Sequence, residues 1–172
     1  SLHDALPILT SELLVGDGPV ELLHALPGSL LVRAGDVWQY FKAVTAPAGE
    51  SLAWTLPGYA AGPEWLTGRS GIGAYVAGRE LENVSLLDKN YNYLAVCFRR
   101  DFVVTDPESV QWLTLRIDYQ EGFVAYLNGV EVARVGLPGN VGDPVAIDAL
   151  AETRGSTKPV EFLLGRSARN LL

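Results

Sequence analysis

The sequence predicts an all-β, antiparallel fold, and three observations lead to that expectation. Segments with the two-residue period of a strand recur along the second half of the chain. Asn128-Gly129 separates two of them, and this dipeptide is a strong hairpin signal because a type I′ turn needs positive φ at both central positions. No segment shows three turns of helical periodicity.

The composition is that of a globular domain. Of the 172 residues, 48% are hydrophobic and 19% are charged, which is enough for one sizeable core and excludes extended disorder. The net charge of −7 argues against nucleic acid or an anionic membrane as a partner, and no apolar run reaches the length of a spanning helix. The single cysteine, Cys97, excludes an internal disulfide and a cysteine-based zinc site.

We interpret the chain as three segments. Residues 1–8 read SLHDALPI, which resembles the translation of a sequencing adapter, so we expect an artefact and set this segment aside from fold reasoning. The remainder is then expected to be a fragment of a longer gene. Residues 9–28 contain a Gly-Asp-Gly-Pro turn and are interpreted as a linker or the tail of a preceding domain. Residues 29–172 are interpreted as the β domain.

The first half of this domain combines one strand pattern with a long irregular segment. Residues 30–32 lead into the apolar and aromatic residues 38–41, which predicts a first strand. Residues 46–73 are rich in Pro, Gly and Ala and contain Trp54 and Trp65. A loop of this length fits a compact domain when its aromatic residues anchor it to a core.

The second half carries regular strand patterns. Alternation begins at Tyr93 and ends at Asp106-Pro107, and a second strand is predicted in residues 112–118. Residues 160–164 are a further strand candidate, and residues 166–172 are expected to form a short helical turn.

The hairpin at Asn128-Gly129 allows a register to be predicted. A two-residue turn pairs Leu127 with Val130, Ala125 with Val132 and Phe123 with Arg134. The more apolar residues, Phe123, Ala125, Leu127 and Val132, are expected to face the core. Tyr126 and Glu131 are then expected to form a cross-strand pair on the open outer face of the sheet.

Several segments share a pattern with one family. They are residues 38–42, 53–54, 57–59, 65, 71–73, 90–91, 98–102, 106–107 and 118–134. The last segment reads DYQEGFVAYLNGVEVAR, where the family pattern is similar to DYDDGFVAYLNGTEVAR. Together the segments resemble the galactose-binding-domain-like, carbohydrate-binding-module-like jelly-roll β-sandwich that is appended to large secreted bacterial proteins. The resemblance covers about residues 30–164.

The resemblance implies an accessory domain in an extracellular or cell-surface bacterial protein, beside lamin-tail, calcineurin-like phosphoesterase or spore-coat-kinase-like domains. Two departures concern function: residues 73–79 lack the acidic residues common in the family, and Gln120-Glu121 stand where Asp-Asp is common. Family members also close with a strand beyond the position of Leu172. The resemblance therefore implies a C-terminally truncated sandwich with an unpaired edge.

The acidic turn before the hairpin is a candidate calcium site. Asp118 and Glu121 supply hard oxygen ligands of the kind that Ca²⁺ prefers, although Ca²⁺ takes six or more oxygens and only these two carboxylates are local. The alternative is a solvated turn in which Asp118 accepts hydrogen bonds from nearby backbone amides. We expect no cofactor other than such a structural calcium ion.

Aromatic residues in the loops are candidates for sugar binding, because ring faces cover the apolar C–H faces of pyranoses. The candidate ligand-binding residues are Trp65, Tyr75, Asn90, Tyr91 and Tyr119. The alternative is that these residues anchor loops to the core, since aromatic side chains also dominate core burial. A second group of aromatic residues is expected in the core: Trp38, Trp54, Trp112 and Phe98.

The sequence offers no convincing catalytic pair. A nucleophile such as Cys97 needs a base within hydrogen-bond reach, and the β domain contains no histidine. A carboxylate pair for glycoside hydrolysis would have to come from Asp118, Glu121 and Glu131, and Glu131 is expected on an open sheet face. We therefore expect no enzymatic activity.

Two function hypotheses stay open at this point. The first is a non-catalytic accessory module of a secreted or surface protein that binds a polysaccharide or glycan. The second is a structural spacer or interaction domain that packs against neighbouring domains of the same polypeptide. A hydrolase is the least favoured alternative.

Overall fold

The fold is all-β. The structure is a computed structural model that describes residues 2–5, 8–11, 20–24, 30–49, 51–73, 84–86, 92–119, 121–152 and 159–172. Its strands are β1 (Leu2–Ala5), β2 (Ile8–Ser11), β3 (Val20–His24), β4 (Leu30–Val32), β5 (Val37–Lys42), β6 (Leu66–Arg69), β7 (Ile72–Gly73), β8 (Val84–Ser85), β9 (Ala95–Arg99), β10 (Asp101–Val104), β11 (Leu113–Ile117), β12 (Gly122–Leu127), β13 (Val130–Val135) and β14 (Val160–Leu164). Two 3₁₀ turns (Ala53–Thr55 and Pro107–Ser109) and the helix α1 (Gly165–Arg169) complete the described elements.

The strands form two main sheets. The larger sheet has the order β13-β12-β2-β9-β5-β6, and the smaller sheet has the order β14-β11-β3-β4. All pairings in these sheets are antiparallel, as predicted, and β1 pairs with β10 in the same way. The short pair β7-β8 is parallel. In the part of the chain that the structure describes, no helix is long and apolar enough to cross a membrane.

Strand β1 pairs with β10 and strand β2 pairs with β9, and both pairs continue the same register. Leu2 and Ala5 lie opposite Val104 and Asp101, and Ile8 continues the same offset opposite Phe98. Strand β2 thereby occupies the position between β9 and β12 in the larger sheet. The structure thus contains strands in the region that the sequence analysis set aside, and the adapter origin of residues 1–8 stays a prediction.

The two sheets share one hydrophobic core. On the smaller sheet, Leu113, Leu115 and Ile117 are buried, which confirms the predicted apolar face of β11. On the larger sheet, Phe123 and Leu127 are fully buried in the same cluster. The alternation of apolar residues along each strand therefore directs one face of each sheet to this core.

The residues predicted as a first strand form two strands in different sheets. Strand β4 belongs to the smaller sheet and β5 to the larger sheet. The chain changes sheets at a tight turn in which Gly35 has a φ of 77° and the Asp36 carboxylate accepts a hydrogen bond from the Arg33 N–H. A carboxylate bonded to a backbone amide within a turn is a common way to stabilise such a reversal.

The hairpin of β12 and β13 has the predicted turn and a register that changes further along. Next to the turn the predicted pairs are confirmed: Leu127 with Val130 and Tyr126 with Glu131. A bulge then shifts the partners to Ala125–Ala133, Val124–Arg134 and Phe123–Val135. The predicted pairs Ala125–Val132 and Phe123–Arg134 are therefore wrong, because a bulge places two residues of one strand opposite one residue of its partner.

The turn of this hairpin also makes a hydrogen bond to the C-terminal residues of the chain. Asn128 and Gly129 have positive φ values of 50° and 83°, as a type I′ turn requires. The Asn128 side-chain amide donates a hydrogen bond to the Leu171 carbonyl oxygen at 2.6 Å. One side chain therefore satisfies the turn geometry and connects it to a residue distant in the sequence.

Substitution at Asn128 should separate these two contributions. We expect Asn128→Ala to lower the free energy of unfolding by about 2–3 kcal/mol, because alanine is strained at positive φ and the hydrogen bond is lost. Asn128→Gly keeps the backbone conformation, so it should cost only about 1 kcal/mol. Urea unfolding of both variants checks this, and equal losses would show that backbone strain contributes nothing.

Candidate functional site

Trp65, a predicted sugar-binding residue, lies in a buried aromatic cluster. Only 7% of it is exposed, and its ring lies 5.3 Å from Phe41, 6.1 Å from Trp54 and 5.9 Å from Tyr59, measured between centroids. These contacts hold the irregular segment on the larger sheet, as the anchoring alternative predicted. The burial leaves Trp65 no open ring face for a sugar in this structure.

The remaining predicted ligand residues are not brought together in the described part. Tyr119 is 5% exposed, and its ring contacts Phe123 edge-on at 4.8 Å between centroids. Tyr75, Asn90 and Tyr91 lie outside the described residues. Within the part that the structure describes, the predicted sugar-binding group therefore contributes to the core.

Trp112, which was predicted to be a core residue, is exposed at the surface. Its exposed fraction is 42%, whereas Trp38 and Trp54 are buried as predicted. The prediction for Trp112 was wrong because this residue precedes β11 with the parity of Thr114, opposite to the buried face of the strand. The alternation in residues 112–117 is the sequence signal that identifies its exposure.

Trp112 belongs to an amphipathic surface on the outer side of the smaller sheet. Leu163, which is 73% exposed, lies opposite Thr114, and Glu161 lies opposite Arg116 in the pairing of β14 with β11. We call this surface the Trp112 face. It offers an aromatic ring and an aliphatic side chain beside a hydroxyl and two side chains of opposite charge.

The outer face of the larger sheet is covered. Tyr126 and Glu131 were expected on an open face, but Tyr126 is 1% exposed because residues 136–152 lie over it. Leu137, Ala149 and Ala151 pack against this part of the sheet. The register pairing of Tyr126 with Glu131 is confirmed, and the prediction of an open face is wrong.

A buried ion pair fastens this covering segment to the hairpin. The Arg134 guanidinium donates two hydrogen bonds to the Glu131 carboxylate at 2.9 and 2.8 Å, and the side chains are 8% and 2% exposed. Arg134 also donates to the carbonyl oxygens of Pro138 and Asp143, and Glu131 accepts the Gly142 N–H at 2.7 Å. The hydrogen bond to Glu131 raises the pKa of Arg134 above its usual value. The pair is satisfied by several partners, as a buried pair requires.

Asp143 shapes the same segment. Its carboxylate accepts hydrogen bonds from the Asn140 backbone N–H at 2.9 Å and from the Asn140 side-chain amide at 3.1 Å. These bonds favour the charged form, so the pKa of Asp143 is lowered.

Arg99 connects the irregular segment that contains Tyr59 to the larger sheet. It is 1% exposed and donates to the Tyr59 carbonyl oxygen at 2.6 Å and to the Asp101 carboxylate at 3.0 Å. Its guanidinium also lies over the Tyr59 ring at 5.3 Å. Arg99 therefore positions the loop that contains Tyr59.

The chemistry expected of a nucleophile is not present at Cys97. The thiol is buried, and burial raises the pKa of Cys97 far above its usual value, which disfavours the reactive thiolate. Among the residues that the structure describes, no group of three His, Cys, Asp or Glu side chains could hold a metal ion.

The acidic turn is buried. Asp118 and Glu121 are only 6% and 5% exposed, so the turn is not solvated, and the hydrogen bonds predicted for Asp118 stay a prediction. The turn joins β11 to β12 beside the Tyr119–Phe123 ring contact. The two predicted calcium ligands therefore lie in a short turn at the end of the core.

A shallow groove lies at the β5–β6 edge of the larger sheet. It has a volume of about 400 Å³. It is lined by residues of β5, of β6 and of the loop between them, including Lys42, Thr45, Glu64 and Leu66. Leu66 is 40% exposed, nearly the same fraction as Trp112.

Comparison of the chain with protein-family models, with curated proteins and with solved structures finds no match.

The ion pair allows a stability prediction. We expect Glu131→Ala to lower the free energy of unfolding by about 3–5 kcal/mol, because it leaves the Arg134 guanidinium buried without a counter-charge. The exposed Glu152→Ala serves as the control and should change stability by less than about 0.5 kcal/mol. Chemical unfolding measures both values, and limited proteolysis should cut within residues 136–152 only in Glu131→Ala. Similar stabilities for the two variants would contradict the role of the pair.

Tyr126 should make stability depend on alkaline pH. Its hydroxyl is buried without a hydrogen bond, and burial, followed by the Glu131 charge, raises the pKa of Tyr126 to about 12. Because this pKa exceeds the value of about 10 in the unfolded chain, stability should be full below pH 10 and fall between pH 10 and 12.

The variant Tyr126→Phe removes this titration. We expect it to be at least as stable as the parent at pH 7, since an unsatisfied buried hydroxyl is removed, and to show a smaller loss above pH 10. The contrasting variant Tyr59→Phe loses the bond to the Ala48 carbonyl oxygen and should be less stable. Thermal unfolding from pH 7 to 11.5 tests this. An unchanged alkaline loss in Tyr126→Phe would assign the loss to other groups.

Proposed function

We propose that this chain is a non-catalytic accessory module, folded as a jelly-roll β-sandwich, that binds neutral carbohydrate through the Trp112 face. The observation that carries the proposal is the exposure of Trp112. The other three tryptophans are 2–7% exposed, whereas 42% of Trp112 is open to solvent. A tryptophan whose ring does not serve the core is available for a ligand.

The neighbours of Trp112 suit a sugar. Trp112 and Leu163 supply apolar surface for the C–H face of a pyranose, and Thr114, Arg116 and Glu161 supply donors and acceptors for its hydroxyl groups. Arg116 and Glu161 are opposite in charge and lie across from each other. With a net charge of −7, the chain disfavours acidic polysaccharides and favours neutral ones.

The non-catalytic character is supported by the way in which charged residues are used. Arg99, Glu131 and Arg134 bind the covering segments to the larger sheet, and the Cys97 thiol is buried. The resemblance of the sequence to secreted bacterial modules supports an extracellular or surface location and neighbouring domains as further partners.

A second candidate is a structural spacer or interaction domain. The burial of Trp65 and Tyr119 favours it, because these aromatic residues serve the core. On this hypothesis the Trp112 face would contact a neighbouring domain of the same polypeptide in place of a glycan.

Affinity electrophoresis in gels that contain soluble neutral polysaccharides tests the proposal. We expect the full chain to be retarded by at least one neutral polysaccharide and Trp112→Ala to lose about tenfold or more in affinity, since stacking on one aromatic ring contributes roughly 1–2 kcal/mol. Because Trp112 is exposed, the variant should remain folded, which thermal unfolding verifies.

The matched control is Leu66→Ala in the groove of the larger sheet, which alters a side chain of nearly equal exposure. It should be retarded like the parent. Loss of binding in Leu66→Ala with binding retained in Trp112→Ala would place the glycan in the groove. No retardation by any neutral polysaccharide would favour the spacer hypothesis.

A further inference from the structure

The turn at Asn128-Gly129 combines a reactive amide with an accessible nucleophile. The backbone nitrogen of the residue that follows an asparagine can attack the asparagine side-chain amide, and glycine hinders this attack least because it has no side chain. Asn128 and Gly129 are both only partly buried, so solvent reaches the turn. Among the described residues, none accepts a hydrogen bond from the Gly129 N–H, so no partner restrains the attacking nitrogen.

The same amide connects the turn to the C-terminal residues. Asn128 Nδ2 donates a hydrogen bond to the Leu171 carbonyl oxygen at 2.6 Å. Leu171 donates its own backbone N–H to the carbonyl oxygen of Ala168, which is buried in the core shared by the two sheets. A groove of about 270 Å³ lies between the hairpin and α1, and Val130, Ala168 and Leu171 contribute to its lining. The Asn128 amide therefore fastens one side of this groove to the hairpin.

We propose that Asn128 is a deamidation site, and that its deamidation releases Leu171 from the hairpin turn. The Gly129 nitrogen forms a bond to Asn128 Cγ, the bond from Cγ to Nδ2 breaks, and the proton of the Gly129 N–H leaves with Nδ2 as ammonia. Water then opens the cyclic imide by adding hydroxide to one carbonyl carbon and a proton to the nitrogen. The product at position 128 is aspartate or isoaspartate, and the reaction needs no oxidant, reductant or cofactor.

Both products replace a donor with an acceptor. A carboxylate has no N–H to donate, so its oxygens face the Leu171 carbonyl oxygen without a proton between them. Two acceptors repel each other, and the Leu171 carbonyl group loses its bond to Asn128. Isoaspartate also adds a methylene group to the main chain inside a two-residue turn, which disturbs the adjoining pair of Leu127 with Val130. The new charge and the added atom therefore act in the same direction.

Ageing of the full chain in mildly alkaline buffer tests the modification. Peptide mapping by mass spectrometry should find deamidation at Asn128 and at least about tenfold less at Asn140, which is exposed but precedes the β-branched Val141. A synthetic peptide of residues 123–135 should react faster than the folded chain, because the hydrogen bond to Leu171 restricts the Asn128 side chain. The proposal is overturned if Asn128 in the chain stays intact after the peptide has reacted.

Hydrogen exchange of the aged chain tests the release. Anion exchange separates the deamidated chain, which carries an additional negative charge, from the unmodified chain. We expect the Asn170 and Leu171 amides to exchange about tenfold faster in the deamidated fraction, since this corresponds to the loss of one hydrogen bond. The Ala43 amide donates to the Ala95 carbonyl oxygen in the larger sheet and should exchange equally in both fractions.

Two variants separate the product from the reaction. Asn128→Asp reproduces one product without ageing, so its Asn170 and Leu171 amides should exchange as in the deamidated fraction. Asn128→Gly keeps the turn conformation and has no amide to lose, so this position should not change on ageing. Equal exchange of the Leu171 amide in the two fractions would overturn the release. An equal acceleration at Ala43 would also overturn it, because the whole fold would then have been destabilised.

Discussion

The structure depends on the need to cover both faces of the larger sheet. Strands β9 and β12 are buried along their whole length, so residues on both sides of each strand need a packing partner. The smaller sheet covers one side and forms the shared core. The other side is covered by two segments with little regular secondary structure, which contribute Trp54 and Trp65 to one cluster and Leu137 to another.

Irregular segments need polar anchors as well as apolar contacts, because their backbone groups lack the regular pairing of a sheet. Arg99 serves one segment through the Tyr59 carbonyl oxygen, and the Glu131–Arg134 pair serves the other through backbone groups of residues 138–143. Three buried charged side chains, Arg99, Glu131 and Arg134, thus stabilise the covering segments. The Trp112 face is a surface that this packing does not use.

The hairpin turn shows how local and distant interactions combine. Asn128-Gly129 dictates the reversal by local backbone preference, and the same asparagine binds Leu171, which is 43 residues away. The turn between β11 and β12, which precedes the hairpin, also combines a local and a distant interaction. Its acidic sequence is local, whereas Tyr119 within it packs against Phe123 and against Phe162, which is distant in the sequence.

The sequence by itself determined the all-β class, the strands β11 to β14 and the turn pairs of the hairpin, because these follow from alternation and turn chemistry within short segments. Only the tertiary structure decided the bulge after Ala125, the burial of Tyr126 and Glu121, and the exposure of Trp112. Each of these depends on contacts between segments far apart in the chain. Alternation assigns a side chain to a face of its strand, but what covers that face is decided by the rest of the fold.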